Sequence, residues 1–296
     1  MTGLGNLIRR NCKLFFKDKG MFFVSLITPV ILLVLYATFL AKVYRDSFAS
    51  AVPQGFEADA SLIDAAVGGQ LISSLLAICC ITVAFCSNML MVQDKVTGAL
   101  RDITVTPVKR STLAVSYYIS TVLSTLIICL LATAAGLIYL AKVGWYLSAA
   151  DVALFVLDVF LLTMFGTALS SIISFFMYSQ GQISAVGTIV SAGYGFICGA
   201  YMPISQFGET LQHVTSFLPG TYGTSLLRNH ALSGVYQEMA DTGFPSDVIE
   251  AIKDSVDCSL YFFDSRVETG TMYLILAGST AVLIGIYITM NLLKKR

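Results

Sequence analysis

Charge is scarce in this chain. Lysine, arginine, aspartate and glutamate make up 12% of its 296 residues, against a hydrophobic share of 56% and a mean hydropathy of +0.78. Soluble domains carry about a quarter charged residues, so an ordinary water-soluble fold is excluded. Formal net charge is zero, which removes the electrostatic case for binding nucleic acid. There are two histidines, His213 and His230, without the spacing of a metal pair, and the seven cysteines form no CxxC or Cys/His pattern. No metal site is expected, and the two histidines read as ordinary surface or interface residues. No G-x-x-x-x-G-K-[ST] loop occurs, so the chain has no such cradle for a nucleotide. H-E-x-x-H, G-x-S-x-G and a pair of acids at one depth are also missing, which argues against an intramembrane enzyme.

What is present is a series of long apolar runs. About 20 residues at ~1.5 Å each cross the hydrocarbon of a bilayer, and six runs meet that length: 21–43, 68–92, 112–141, 147–178, 183–202 and 271–293. The third and fourth exceed what the bilayer needs and are expected to tilt or project. Cys79, Cys80, Cys86, Cys129 and Cys198 lie inside these runs, where they serve as small hydrophobes.

Basic residues set the orientation, because they are retained in the cytoplasm. Arg9, Arg10, Lys13, Lys17 and Lys19 precede the first run; Lys95, Arg101, Lys109 and Arg110 lie between the second and third; Lys294, Lys295 and Arg296 close the chain. The loop 44–67 sets Arg45 against Asp46, Glu57, Asp59 and Asp64. Segment 203–270 holds Arg228, Lys253 and Arg266 against nine carboxylates. Both termini and segment 94–111 are therefore read as cytoplasmic and 203–270 as outward-facing. The acidic part, 232–268, reads as a small solvated cap of one or two helices.

Residues 1–20 read as an amphipathic helix lying on the membrane surface. Leu4, Leu7, Ile8, Leu14 and Phe15 share one face of the wheel, with Arg9, Arg10, Lys13 and Lys17 opposite. No signal-peptide cleavage pattern is read there.

Segment 94–111, DKVTGALRDITVTPVKRS, is a polar island between two apolar runs. Asp94 or Thr97 is placed to cap a short helix, and Pro107 to end it. Taken alone it could equally be a solvated turn. It resembles, however, the coupling loop of type-2 ABC transporter permeases, which runs approximately E-R-x-x-G-T-L-E-x-L-L-x-T-P-V-S-R. Asp94, Lys95, Gly98, Leu100, Thr106, Pro107, Val108 and Arg110 fit that pattern. Arg101 stands where glutamate is frequent, and Ser116-Tyr117 replaces a usual Gly-Lys. A second stretch, GAYMPISQFGETLQHVTSFLPGTYGTSLLR (199–228), is similar to the same family's outer re-entrant hairpin, through Gly199, Pro203, Leu211, Pro219, Tyr222 and Arg228. Gly208 replaces a frequent proline there.

The resemblance implies an all-α membrane protein of six transmembrane helices, with an interfacial N-terminal helix, a cytoplasmic coupling helix, an outer re-entrant hairpin (21–293 in all) and a basic tail, 294–296. It implies the permease subunit of an exporter in a prokaryotic plasma membrane, itself no enzyme. ATP and magnesium would be held by two separate cytoplasmic ATPase subunits, and the permease would pair with a second copy or a related chain. ATPase contact is expected at Asp94, Lys95, Gly98, Leu100, Arg101, Asp102, Thr106, Pro107 and Arg110.

In this family the second and fifth spans line the path. That assigns Ser73, Ser74, Thr82, Ser87 and Asn88, with Ser184, Thr188 and Tyr194, to a mostly apolar lumen suited to an amphiphile, lipid, drug-like molecule or peptide. Gly187, Ser191, Gly195 and Gly199 recur every four residues and are expected to form a helix-packing ridge. Asp158 is the one acid well inside a run, and a hydrogen-bonded structural role is favoured for it over a part in transport. The alternative function is an ion-coupled carrier without an ATPase, which would normally show paired intramembrane charges or matched broken helices.

Overall fold

The computed structural model describes residues 2–51, 60–263 and 265–293. Glu57, Asp59, Asp264 and the tail 294–296 lie outside the described residues.

The chain begins with α1 (Thr2–Lys17), then α2 (Lys19–Leu35), whose start Asp18 caps by accepting from the Met21 amide at 3.0 Å. A π-helical turn at Tyr36–Leu40 carries α2 into α3 (Ala41–Ala51). Then come α4 (Ala60–Val96), the short α5 (Ala99–Val105), α6 (Arg110–Val143), α7 (Ala149–Phe175) and α8 (Gln180–Ile197). Capping boxes start α7 (Ser148 with Asp151) and α8 (Ser179 with Gln182). After a 3₁₀ turn at Ile204–Gln206 follow α9 (Glu209–Ser216), α10 (Pro219–Asp241) and α11 (Ser246–Ser255). A hairpin of β1 (Leu260–Phe262) and β2 (Ser265–Val267) leads into α12 (Thr269–Leu293).

Among the described residues five helical stretches are long and apolar enough to cross a membrane: Lys19–Asp46, α4, α6, α7 and α12. The expected fifth span appears as α8, which is 18 residues long and opens on two glutamines. The hairpin 260–267 is a small β exception in an otherwise helical fold.

At 37 residues α4 is the longest helix, about 55 Å, and it starts eight residues before the expected span. The extra turns are held by packing, since Leu62, Ala65, Ala66 and Val67 are buried with Tyr44 and Phe48 of α3 and with Leu232 and Val235 of α10. Further along, α4 is the axis of the bundle. Leu76, Ile81 and Phe85 are packed with Val159, Leu162 and Phe165 of α7 and Leu226 and Leu227 of α10. Its surface is enclosed all round by α2, α6, α7, α8 and α10.

The segment read as a solvated cap is docked on the bundle. Val235, Tyr236 and Met239 of α10 and Ile249 and Ile252 of α11 are buried, with Asp241, Asp247 and Glu250 exposed on the outer side and Asp257 buried. The acidic composition conceals an apolar stripe at helical spacing, which is why charge alone misses the docking.

Candidate functional site: the root of segment 94–111 and the recess beside it

Segment 94–111 leaves the end of α4, turns, forms α5 and enters α6. Gly98 makes the turn in the left-handed region at φ +85°, a conformation that costs other residues a Cβ clash with the backbone. Neither expected cap is used: Gly98 occupies the N-cap position without a side-chain bond. Helix α5 ends at Val105, with Thr106 extended ahead of Pro107, as the proline dictates.

Asp94 lies in the last turn of α4 and points inward, almost wholly buried. Its carboxylate accepts from Arg10 Nη1 at 2.7 Å and Nη2 at 3.0 Å, and from the Tyr117 hydroxyl of α6. Arg10 Nη1 also donates to Asn11 Oδ1 at 2.9 Å. A two-pronged guanidinium–carboxylate contact is among the stronger charged hydrogen bonds, and it fixes α1 in orientation. Arg10 therefore departs from its expected basic face: Asn11 and Phe15 are buried beside it, while Leu14 is exposed. The wheel places Arg10 at the edge of the docked face, and a long side chain there reaches a buried carboxylate. Asp94 and the hydrogen-bonding Tyr117 hold the Arg10 guanidinium above its ordinary pKa.

Lys95 faces the other way. Its ammonium donates to the carbonyls of Ser174, Phe175 and Met177 at 2.8, 3.0 and 3.2 Å, closing the C-terminal end of α7, where the helix dipole favours a cation. It also lies 4.9 Å from the Tyr178 ring centre. Asp94 and Lys95, adjacent in sequence, thus tie the end of α4 to α1, α6 and α7.

Beyond this root the segment is open. Leu100 and Ile103 rest against Met91, Leu113 and Tyr117, but no residue of α5 is buried. Arg101, Asp102, Thr106, Pro107 and Arg110 are exposed, and Val105 is 84% exposed. A recess of about 780 Å³ lies alongside, lined by Lys95, Arg101, Arg110, Tyr178, Tyr287 and Asn291 among others.

The residues assigned to a path divide by helix. Ser73, Ser74, Thr82, Ser87 and Asn88 of α4 are all enclosed within this one chain. The Thr82 hydroxyl donates to the Ile78 carbonyl, and Asn88 donates to Ser170 and Ser171 of α7 at 3.2 and 2.9 Å. Small polar residues so placed hold helices together. Ser184 and Thr188 of α8 do face a cavity, an apolar cleft of about 1140 Å³ between α2 and α8. Its other walls include Ile27 and Ile31 of α2 and Met202 after α8. Tyr194 points away, with its hydroxyl buried against Gly220 of α10.

The four-residue ridge splits in the same way. Gly187 lies against the Met89 side chain of α4, Ser191 lines the cleft, and Gly195 makes room for the Tyr201 ring. Gly199 lies beyond the helix end at φ +71°, so the ridge loses its register there.

Two buried polar groupings were not legible in the sequence as sites. Asp158 of α7 accepts from the Tyr273 hydroxyl of α12 at 2.6 Å, and its second oxygen lies 2.6 Å from His230 Nδ1 of α10. His230 is thus a buried bundle residue, so of the surface and interface readings the surface one is corrected. Its partner is 72 positions away, beyond any spacing pattern. Arg228, 1% exposed, donates to Asp257 at 2.8 Å, to the Val256 carbonyl at 3.1 Å and to the Gly199 carbonyl. Asp257 also accepts from the amides of Ile204 and Ser205 at 2.6 and 3.1 Å, so one ion pair fastens the stretch after α8 to α10.

A search among curated proteins found no match. The family model described as ABC-2 type transporter matches residues 2–231, from the docked N-terminal helix through segment 94–111 and the α8–α10 region. On that match, and with five membrane-length apolar helices around an anchored polar segment, the chain belongs to the ABC-2 type transporter family, as a multi-pass membrane protein.

Proposed function

We propose that this chain is the permease subunit of an ATP-driven exporter, moved through segment 94–111 by a separate cytoplasmic ATPase. The observation that carries the reading is the contrast within that segment. Its root is bonded to three helices through Asp94 and Lys95, while α5 buries no residue and presents Arg101, Asp102 and Val105 outward. A force applied to such a helix reaches the bundle without being lost in a slack loop, and can bias one of two helix packings.

In this reading α8 is a sixth span. At 18 residues, about 27 Å, it nearly matches the hydrocarbon thickness. The α9–α10 pair is the outer re-entrant hairpin, both termini are cytoplasmic, and two permeases work with two ATPases in a prokaryotic plasma membrane. The cleft between α2 and α8 supports an amphiphilic or hydrophobic cargo. Its wall is aliphatic, and Ser184 and Thr188 spend their hydroxyl protons on the helix carbonyls of Gln180 and Ser184. Such a lining offers little to a bare ion.

The test is purification followed by cross-linking from cysteines at Arg101 and Val105. Expected are capture of a P-loop ATPase and ATP hydrolysis by the complex that candidate amphiphiles stimulate. A protein that purifies alone and moves cargo under an imposed ion gradient would instead be a carrier, the reading to which the buried Asp158–His230 pair lends some support.

A further inference from the structure

The recess of about 780 Å³ beside α5 forms where four membrane-length helices begin or end together. It is lined by Val96 at the end of α4, Arg110 at the start of α6, Phe175 at the end of α7 and Asn291 near the end of α12. Helix α5 contributes Leu100, Arg101 and Thr104. The common end of spanning helices is the boundary between hydrocarbon and water. On the reading that puts segment 94–111 in the cytoplasm, it is the inner boundary.

The charges that line the recess have one sign. Lys95, Arg101 and Arg110 contribute cations, and among the described residues no aspartate or glutamate lines it. The neighbouring acid, Asp94, is turned inward and matched by the two-pronged contact from Arg10. Arg101 forms no hydrogen bond or ion pair among the described residues. These charges are within reach of an occupant, since Arg101 and Arg110 are exposed and Lys95 is half-buried.

Much of the remaining lining is apolar or aromatic, through Val96, Leu100, Phe175 and Tyr178. Tyr178 is 57% exposed and the adjacent Phe176 63%. Aromatic side chains placed where spanning helices end sit at headgroup depth. An inorganic anion gains nothing from such a surface, and the recess is many times larger than a phosphate ion. A ligand that joins an anionic group to an apolar chain uses both parts of the lining.

We propose that this recess binds the phosphate headgroup of an anionic phospholipid from the inner leaflet. A guanidinium carries five N–H donors in a planar fork, so Arg101 and Arg110 can each meet a phosphate edge while keeping another contact. The glycerol and upper chains lie on the apolar part of the lining. Basic pockets between membrane helices on the cytoplasmic side hold anionic headgroups, and the negative surface potential of that leaflet is their source of attraction. The lipid would bridge α5, which has no buried residue of its own, to the start of α6. Coupling to the proposed ATPase would then depend on anionic lipid; this consequence and the choice of leaflet rest on the proposed function, whereas the binding itself does not.

The experiment is thermal unfolding of the purified chain in an uncharged detergent, without any ATPase, titrated with phosphatidylglycerol, phosphatidylcholine or inorganic phosphate. At about ten times Kd, a saturable rise of about 3 °C is expected with phosphatidylglycerol alone. Arg101→Gln, on a helix with no buried residue, should fold normally and weaken the response at least threefold. Adding Arg110→Gln should weaken it further, while Arg9→Gln, an equal loss of charge on α1, should keep it within twofold. Amide hydrogen exchange over 98–106 should slow at least threefold with the lipid bound. The proposal is overturned by an equal response to phosphatidylcholine or to inorganic phosphate, the latter assigning the recess to a free anion. It is also overturned if Arg101→Gln responds like the parent, if Arg9→Gln loses as much, or if exchange in α5 is unchanged. With no ATPase present, failure here leaves the exporter reading standing, and failure to capture an ATPase leaves the lipid result untouched.

Discussion

Arg10 of the N-terminal helix grips Asp94, 84 residues further on, with both terminal nitrogens of its guanidinium. The contact joins a helix expected to lie on the membrane surface to the place where segment 94–111 leaves the bundle. Removing Arg10 strands a nearly buried carboxylate. Arg10→Ala is expected to destabilise by about 2 kcal/mol, below the ~3–5 kcal/mol of a fully buried pair because Arg10 is partly solvated. A double-mutant cycle of Arg10→Ala with Asp94→Asn, read by thermal unfolding, should give a coupling above about 1 kcal/mol; additivity would show the contact to be idle.

Gly98 turns the chain between α4 and α5 with nothing near enough to clash with an added methyl group. Gly98→Ala should therefore act through the backbone alone, costing about 1–2 kcal/mol locally. The expected signature is weakened ATPase stimulation with little change in global unfolding, since α5 has no buried residue to lose. An unchanged stimulation would mean that the turn geometry is not transmitted.

Arg228 and Asp257 form a pair with both side chains essentially enclosed. Asp257→Ala leaves a buried guanidinium uncompensated and frees the amides of Ile204 and Ser205, so a loss of about 3–5 kcal/mol is expected. Limited proteolysis within 199–206 should rise in parallel with the fall in midpoint. Stability without protection of that stretch would contradict the clamp.

Asp158 is held by Tyr273 and His230 from two other helices. Asp158→Asn retains hydrogen-bonding capacity toward both and is expected to keep assembly and transport within about twofold. Asp158→Leu leaves two buried polar partners unmatched and should destabilise by about 2–4 kcal/mol. Loss of transport in the asparagine variant with normal folding would move Asp158 from architecture into mechanism.

The Arg266 guanidinium, hydrogen-bonded to Glu250 at 2.9 Å, holds that carboxyl below its ordinary pKa. A depressed carboxylate contributes stability above its unfolded pKa, about 4.3, and loses it as pH falls through the lower folded value. The tether between α11 and β2 should be constant from pH 8 to about 5 and open below about 4. Protease sensitivity at 265–267 reports it, and Glu250→Gln should remove the pH step.

How far the sequence reaches can be seen at particular residues. The apolar runs set five of the membrane-length helices, because burial in lipid demands backbone bonds satisfied within each segment. Pro107 ended α5 where it had to, whereas its start fell at Gly98 and not at a cap on Asp94 or Thr97. The capping role read for Asp94 failed, since a nearby helix end lost to a guanidinium 84 positions away. Ser73, Ser74 and Asn88 are assigned to the path through the family resemblance alone, and a hydroxyl or amide in a span carries no label for which side it faces. Helical period gives the face of a residue and tertiary packing gives what covers it, and around α4 every face is covered.

By itself the sequence determined which segments are apolar, where the polar island falls and which family pattern it follows, since those depend on composition and local backbone rules. Only the tertiary structure decided that Asp94 and Lys95 fasten the island at its root, that His230 meets Asp158, and that Arg228 is locked beneath Asp257. Those partners come from helices far apart in the chain. Their meeting is fixed by how the helices pack, which no local interval of residues encodes.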